Sequence, residues 1–327
     1  MDFRLEFTPK PLQTKISHRH KLFLAGSCFT EQIGAKLANH KFRTIENPNG
    51  ILFNPVSIAR SVESYIHNRQ YTAADLFFHN ELWGSWEHHT RFSSADQAQC
   101  LQKINESQER AHAFLQDADW LLITLGSAFV YELESTQVVA NCHKVPTDQF
   151  NKRLLSVSEV KEVLQAMIKQ LQVFNPGLRV ICTISPVRHL RDGFVENNRS
   201  KATLINAVHA LADGTERLFY FPAYELVIDD LRDYRFFAED MVHPNYAATN
   251  YVWEKFIHTC IDESSRKLMK EISVVMSARN HKPFNPGSAQ HRSFLETNLL
   301  KASQLKQQYP YLDLEEELAY FEAGGRS

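Results

Sequence analysis

Lys21-Leu22-Phe23-Leu24-Ala25-Gly26-Ser27-Cys28-Phe29 is the stretch that decides how this chain folds. Residues 22–25 are a short, unbroken apolar run, the pattern of a strand buried on both faces. Residues 30–39 then carry Ile33 and Leu37 on one face, so a helix follows directly. Four more short apolar runs match the first: 42–45, 120–125, 180–184 and 218–221.

Helical sequence lies between these runs. Asn54-Pro55 is a cap followed by a first-turn proline, with Val56, Ala59, Val62 and Ile66 at helical spacing. Residues 96–116 repeat the pattern with Leu101, Ile104, Ala111 and Leu115. Ser156 and Glu159 form a capping box ahead of Val160, Leu164 and Leu171, and Asn175-Pro176-Gly177 stops that helix. Residues 200–211 form a further helix, and 246–277 read as one long helix or a broken pair. The alternation predicts a three-layer, doubly wound α/β sandwich around a five-stranded parallel sheet. Two segments interrupt the rhythm. Residues 71–95 are an aromatic-rich insertion with a hairpin, and 129–133 with 137–140 read as a second hairpin. After His281 comes an arm, packed on the core, with a polar helix over 293–308.

The 327 residues suit one large α/β domain with additions, and the formal net charge of -2 favours neither nucleic acid nor a membrane as partner. Five scattered cysteines with no CxxC pair argue against a disulfide framework or a zinc ribbon. Reduced thiols and residues 1–10, which lack the apolar core of a signal peptide, point to the cytoplasm. The sequence contains neither GxGxxG nor a Walker pattern, so no nucleotide cofactor is expected.

In open α/β sheets, ligands bind beyond the carboxyl ends of the strands. Gly26-Ser27 follows the first strand there, Gly126-Ser127 the third, and Ser185-Pro186-Val187-Arg188-His189 the fourth. Asp240-Met241-Val242-His243 comes well after the fifth. A serine between strand and helix presents its hydroxyl to the helix N-terminus, where the field favours a developing oxyanion. The plainer reading of Ser27 is a helix cap. Residues three apart in a turn share a side, so Asp240 can fix the tautomer of His243 and leave its other nitrogen to take a proton. Alone, that spacing is as readily a cap beside an incidental histidine.

Taken together, the order Ser27, Asp240, His243 resembles the SGNH/GDSL hydrolases. The stretch Leu24-Ala25-Gly26-Ser27-Cys28-Phe29 is similar to the defining motif of the GSCFA family, which is grouped with them. Residues 124–131, 185–189 and 282–286 are similar to other stretches of that family, and the likeness spans about 5–310. The resemblance implies a flavodoxin-like SGNH hydrolase domain over 1–280, with 281–327 as the arm. It implies Ser27 as nucleophile, His243 as general base and Asp240 as its partner. It also implies the Ser27 and Gly50 N–H groups as oxyanion donors; for Gly50 a tight Asn-Gly turn is an equal reading. The wider family has an asparagine where this chain has Ala128. A donor of that kind is worth about 2.7–4 kcal/mol in the transition state. Asn49, Ser127, Tyr131 and Arg188 are candidates to replace it, and Arg188-His189 to touch substrate.

The activity implied is a serine esterase acting on a small acyl group, such as acetyl, on a carbohydrate or similar small-molecule alcohol, with no metal or cofactor. An acyltransferase using the same acyl-serine and a binding protein on a hydrolase scaffold are the rivals. Cys28 as nucleophile is weighed against a small packed residue, and His79, His88 and His89 lack a recognised metal-ligand spacing. His88-His89 with Trp83, Trp86 and Arg91 could line a cleft or simply pack on the sheet.

Overall fold

The computed structural model describes residues 5–215 and 217–325. Residues 1–4 of the N-terminal stretch and 326–327 of the arm lie outside the described residues. The elements in chain order are β1 (Lys21–Gly26), α1 (Cys28–Asn39), β2 (Arg43–Glu46), α2 (Pro55–Ile66), β3 (Phe77–His79), β4 (Leu82–Gly84) and α3 (Gln97–Gln116). Then come β5 (Trp120–Leu125), β6 (Phe129–Glu132), β7 (Asn151–Leu154), α4 (Val157–Phe174), β8 (Arg179–Ile184), α5 (Gly193–Ala212) and β9 (Leu218–Phe221). A short α6 (Ala223–Glu225) runs into a π-helical turn, followed by α7 (Tyr246–Cys260), α8 (Glu263–Arg279), α9 (Ala289–Gln308) and α10 (Glu315–Glu322).

The five apolar runs form one sheet in the order β2-β1-β5-β8-β9, with every neighbouring pair parallel. Side chains alternate across it. Phe23 and Ala25 join the cluster covered by α2, α3, α4 and α5, while Leu22 and Leu24 join the one covered by α1 and α7. Burial on both faces is why the central strands β1, β5 and β8 read as apolar runs, while β2 and β9 at the edges are partly exposed. Two caps form as the sequence predicts. The Asn54 side chain accepts from Ser57 N at 2.8 Å, and the Ser156/Glu159 capping box closes in both directions.

The insertion forms its hairpin, β3 against β4, turned by Asn80 and Glu81, both left-handed (φ 48 and 61). Trp86 stacks on Phe77 at 3.8 Å beneath it. The second hairpin differs from expectation. β6 takes its ladder from β7, and residues 137–140 contribute only the Glu132–Val138 bridge. The competing pull is Trp86, whose carbonyl accepts from Ala140 N at 2.7 Å. Residues 246–277 are the broken pair: Ile261 bridges in parallel to Ile16, and Asp262 restarts the helix by accepting from Ser265 N at 2.6 Å. The fourth crossover helix starts earlier than 200, at Gly193.

The arm packs on α8. Leu268, Ile272 and Val275 meet Leu295, Ala302, Leu305, Leu314 and Phe321 in a third apolar cluster. Buried Glu317 of α10 pairs with Lys41, between α1 and β2, at 2.7 Å. All five cysteines are free thiols. Among the described residues, no helix is long and apolar enough to cross a membrane.

Gly26 carries a specific constraint. Its φ is +143°, and a Cβ there would lie 2.3 Å from the carbonyl oxygen of Thr124. Gly26→Ala is therefore expected to lose at least about 2 kcal/mol of stability, from backbone strain alone. Urea denaturation of the two proteins measures it; an unchanged midpoint would contradict this packing.

Candidate active site

β1 ends at Gly26, and α1 starts at Cys28. Ser27 sits between them as N-cap, with extended backbone (φ -71, ψ 175) and no side-chain cap bond. The cap reading therefore does not account for its hydroxyl, which is buried and has no hydrogen-bond partner. The first-turn N–H groups of α1, from Cys28 and Phe29, have no carbonyl acceptor in the preceding turn and face the Cys28 thiol.

The turn before α7 holds the other half of the site. Asp240 Oδ2 lies 2.6 Å from His243 Nδ1. Its Oδ1 accepts from Val242 N at 2.9 Å and His243 N at 3.0 Å. These bonds to the charged form hold the Asp240 carboxyl down at about 2, the His243 N–H contributing most. Met241 is left-handed (φ 56), which wraps the turn around the carboxylate. The carboxylate thus claims Nδ1 and leaves Nε2 of His243 free to accept a proton.

Several contacts bring these halves to one edge. Thr249, in the first turns of α7, donates to Gln32 of α1 at 3.0 Å, so the two helix N-termini are neighbours. Arg188 N donates to Val242 O at 3.1 Å, tying the loop after β8 to the His243 turn. The Ser27–His243 hydrogen bond itself is not formed, and half the surface of the Asp240–His243 pair is open. Such bonds are often long in unliganded sites and tighten with substrate.

The GSCFA family matches residues 21–256, and the GSCFA C-terminal domain matches 272–324. The chain belongs to the GSCFA family. Three solved structures are similar at lower levels. A protein of Streptococcus pneumonia provisionally described as a platelet activating factor is 14% identical, covering 72% of this chain and 81% of its own (TM-score 0.38). A carbohydrate esterase family 3 protein of Talaromyces cellulolyticus is 10% identical, covering 78% and 99% (TM-score 0.34). A serine-to-alanine variant of an acetyl esterase with an acetate ion is 11% identical, covering 78% and 99% (TM-score 0.34). No curated protein sequence matches the chain.

In this GSCFA chain the expected oxyanion donors are engaged elsewhere. Ser27 N donates to Thr124 O at 3.1 Å, which continues the β1–β5 ladder by one residue. Gly50 N donates to Asn47 O at 2.7 Å and closes a turn, so the tight-turn reading of Asn49-Gly50 is the one realised. Asn49 is also committed. Its amide donates to Glu87 O at 3.2 Å, and its Oδ1 accepts from Tyr65 at 2.9 Å, fixing the insertion to α2. Ser127 Oγ accepts from Phe129 N at 3.0 Å and contacts Ser200 Oγ at 3.3 Å. Tyr131 lies on the β6–β7 hairpin beside Lys152. Ala128 is fully buried in the apolar cluster, where an asparagine side chain would be a poor fit.

Two candidates do have unengaged buried nitrogens. Arg188 lies over Phe237, 4.2 Å from the ring centroid, with Nη1 unpartnered. His189 has Nε2 unpartnered, and burial pushes its imidazole down to about 4. In the insertion, His88 is fully enclosed and pushed down to about 3, chiefly by burial; Nδ1 bonds Ser85 and Nε2 has no partner. Cys28 is raised by burial, which disfavours a thiolate nucleophile. Among the described residues, no cluster of three metal-ligand side chains occurs.

The sequence reading missed Lys201. It is buried on α5, and its Nζ donates to Gly126 O and Ser185 O, both at 2.7 Å. It thereby clamps the ends of β5 and β8 together. A signal was present: Asn197, Lys201, Leu204 and Val208 recur at the spacing of one helix face, and all are buried. Burial pushes the amine down to about 7. The unfolded chain titrates near about 10.4, so between those values it binds a proton that the folded state lacks. Stability from this group therefore rises with pH across that window. The stability of wild type minus that of Lys201→Met should increase from pH 7 to pH 10, read by urea denaturation. A flat or falling difference would contradict the assignment.

Proposed function

We propose that the protein is a serine esterase that removes a small acyl group, such as acetyl, from an alcohol of the carbohydrate type. The observation that carries this reading is the 2.6 Å Asp240–His243 bond on the edge where the buried Ser27 hydroxyl has no partner. Each is common alone. A carboxylate-oriented imidazole and an idle serine at a helix N-terminus, on one sheet edge, are the parts of an acyl-transfer site.

The chemistry follows from the atoms. His243 Nε2 takes the Ser27 proton as Oγ attacks the ester carbonyl. Asp240 stays ionised and stabilises the imidazolium. The tetrahedral oxygen develops beside the α1 N-terminus, where the helix dipole lowers its energy. Collapse breaks the carbon–alkoxide bond, and His243 returns the proton to the leaving alcohol. Water, deprotonated by His243, then releases the acid from Ser27.

Fluorophosphonate labelling tests this reading directly. Wild type should label at Ser27, and folded Ser27→Ala should not label at all. Asp240→Asn should slow labelling and ester turnover by about 10²–10⁴-fold, the range for general-base assistance. A folded wild type that fails to label, or labelling that survives Ser27→Ala, would remove the esterase reading. Added alcohol that diverts the acyl group from water would turn it toward acyl transfer.

A further inference from the structure

The esterase reading leaves one gap. The oxyanion has a helix end beside it but no assigned side-chain donor, and the guanidinium of Arg188, though Nη1 is unpartnered, lies over the Phe237 ring. Ala128 cannot donate, Ser27 N and Gly50 N are bonded to backbone, and Asn49 and Ser127 are engaged. A buried polar atom without a partner calls for an explanation. His189 Nε2 is such an atom on this edge.

Its position is defined from several sides. A Cβ on Gly126 would come within 3.3 Å of His189 Nε2, so the nitrogen stands directly over the end of β5. Two residues back on the same strand, Thr124 O accepts from Ser27 N at 3.1 Å. Phe53 meets the imidazole edge-on at 5.5 Å between ring centroids. Asn197 of α5 accepts from His189 N at 2.9 Å. The ring is therefore pre-positioned rather than dangling, as a donor for a transition state must be. A side chain on Gly126 would crowd the nitrogen; the glycine leaves the space open.

We propose that His189 is the side-chain oxyanion donor of this site: its Nε2–H, held over Gly126, donates to the tetrahedral oxygen formed when Ser27 adds to the ester carbonyl. This rests on the esterase reading of Ser27. Electrostatics agree with the geometry. Burial first, then the nearby Lys201 and His243, hold the imidazole neutral, and only Asp192 opposes them. A neutral imidazole is a poor base at pH 7 but a competent N–H donor. The two histidines thus divide the work. As the Oγ–C bond forms, the serine proton passes to His243 and the carbonyl electron pair moves to oxygen. His189 keeps its proton throughout, and collapse returns the pair to the carbonyl as the alkoxide leaves.

The test uses p-nitrophenyl acetate as probe, with Ser27→Ala as background, and reads Ser27 phosphonylation rates in parallel. His189→Ala should lower kcat about 10²–10³-fold, as for loss of one such donor, with KM changed less than about threefold. His189→Phe keeps a ring without the donor and should be as slow. His189→Gln restores an N–H and should recover at least tenfold over alanine. Thermal melts of all four proteins separate this from misfolding; if His189→Ala does not fold, Phe against Gln decides. Should wild type lack Ser27-dependent labelling and turnover, the esterase reading falls and takes this proposal with it. Should wild type react while His189→Phe matches it, or while the loss lies in KM alone, His189 is not the donor and the esterase reading stands.

Discussion

The carbonyl of Thr124 lies against the end of β1 so closely that nothing larger than a hydrogen fits on Gly26. The approach lets the β1–β5 ladder run one residue beyond the strand, to Ser27 N. Ser27 is therefore fixed by the sheet on one side and by α1 on the other. The same approach explains why its N–H is unavailable. A backbone donor committed to Thr124 cannot also serve an oxyanion, so in the esterase reading rigidity at Ser27 and a full set of backbone donors are in competition.

A second constraint spans the same edge. Lys201 is the largest polar side chain buried near it, and it joins the carbonyls that end β5 and β8. Ser200 and Asn197, one and four residues earlier on α5, bond Ala128 N and His189 N, at 2.7 and 2.9 Å. One helix face thus holds two loops: the one that joins β5 to β6 and the one that leaves β8. A buried amine is costly unless it is hydrogen-bonded. Two short bonds to carbonyls meet that condition, and they leave the clamp dependent on both strands being in register.

These relations explain which parts were legible in the sequence. The central strands β1, β5 and β8 were, because burial on both faces writes a near-continuous apolar run with no help from distant residues, whereas the edge strands β2 and β9 are only partly buried. The Asp240–His243 pair was, because three-residue spacing in a turn is local. Lys201 stood at helical spacing among apolar positions, but only the carbonyls of two other segments give a lysine there a partner. The β6–β7 ladder was hidden because its strands are 18 residues apart and the nearer segment, 137–140, ends on Trp86. Whether Ser27 N and Gly50 N are free or engaged is decided by backbone register, which no side-chain pattern records.

The contrast in exposure between the halves of the site has a consequence for the chemistry. Ser27 is 1% exposed, whereas the side chains of His243 and Asp240 are 44% and 49% exposed. In the esterase reading, the acyl group must enter a narrow place beside the sheet edge, which favours a short one. The base, by contrast, stands in water. Once the alcohol has left, solvent reaches His243 without any opening of the structure, while Ser27 itself stays shielded. An acyltransferase has to exclude that competitor from its base. In the esterase reading, the half-open Asp240–His243 turn leaves the base within reach of that water, which is what release of the acid by hydrolysis requires.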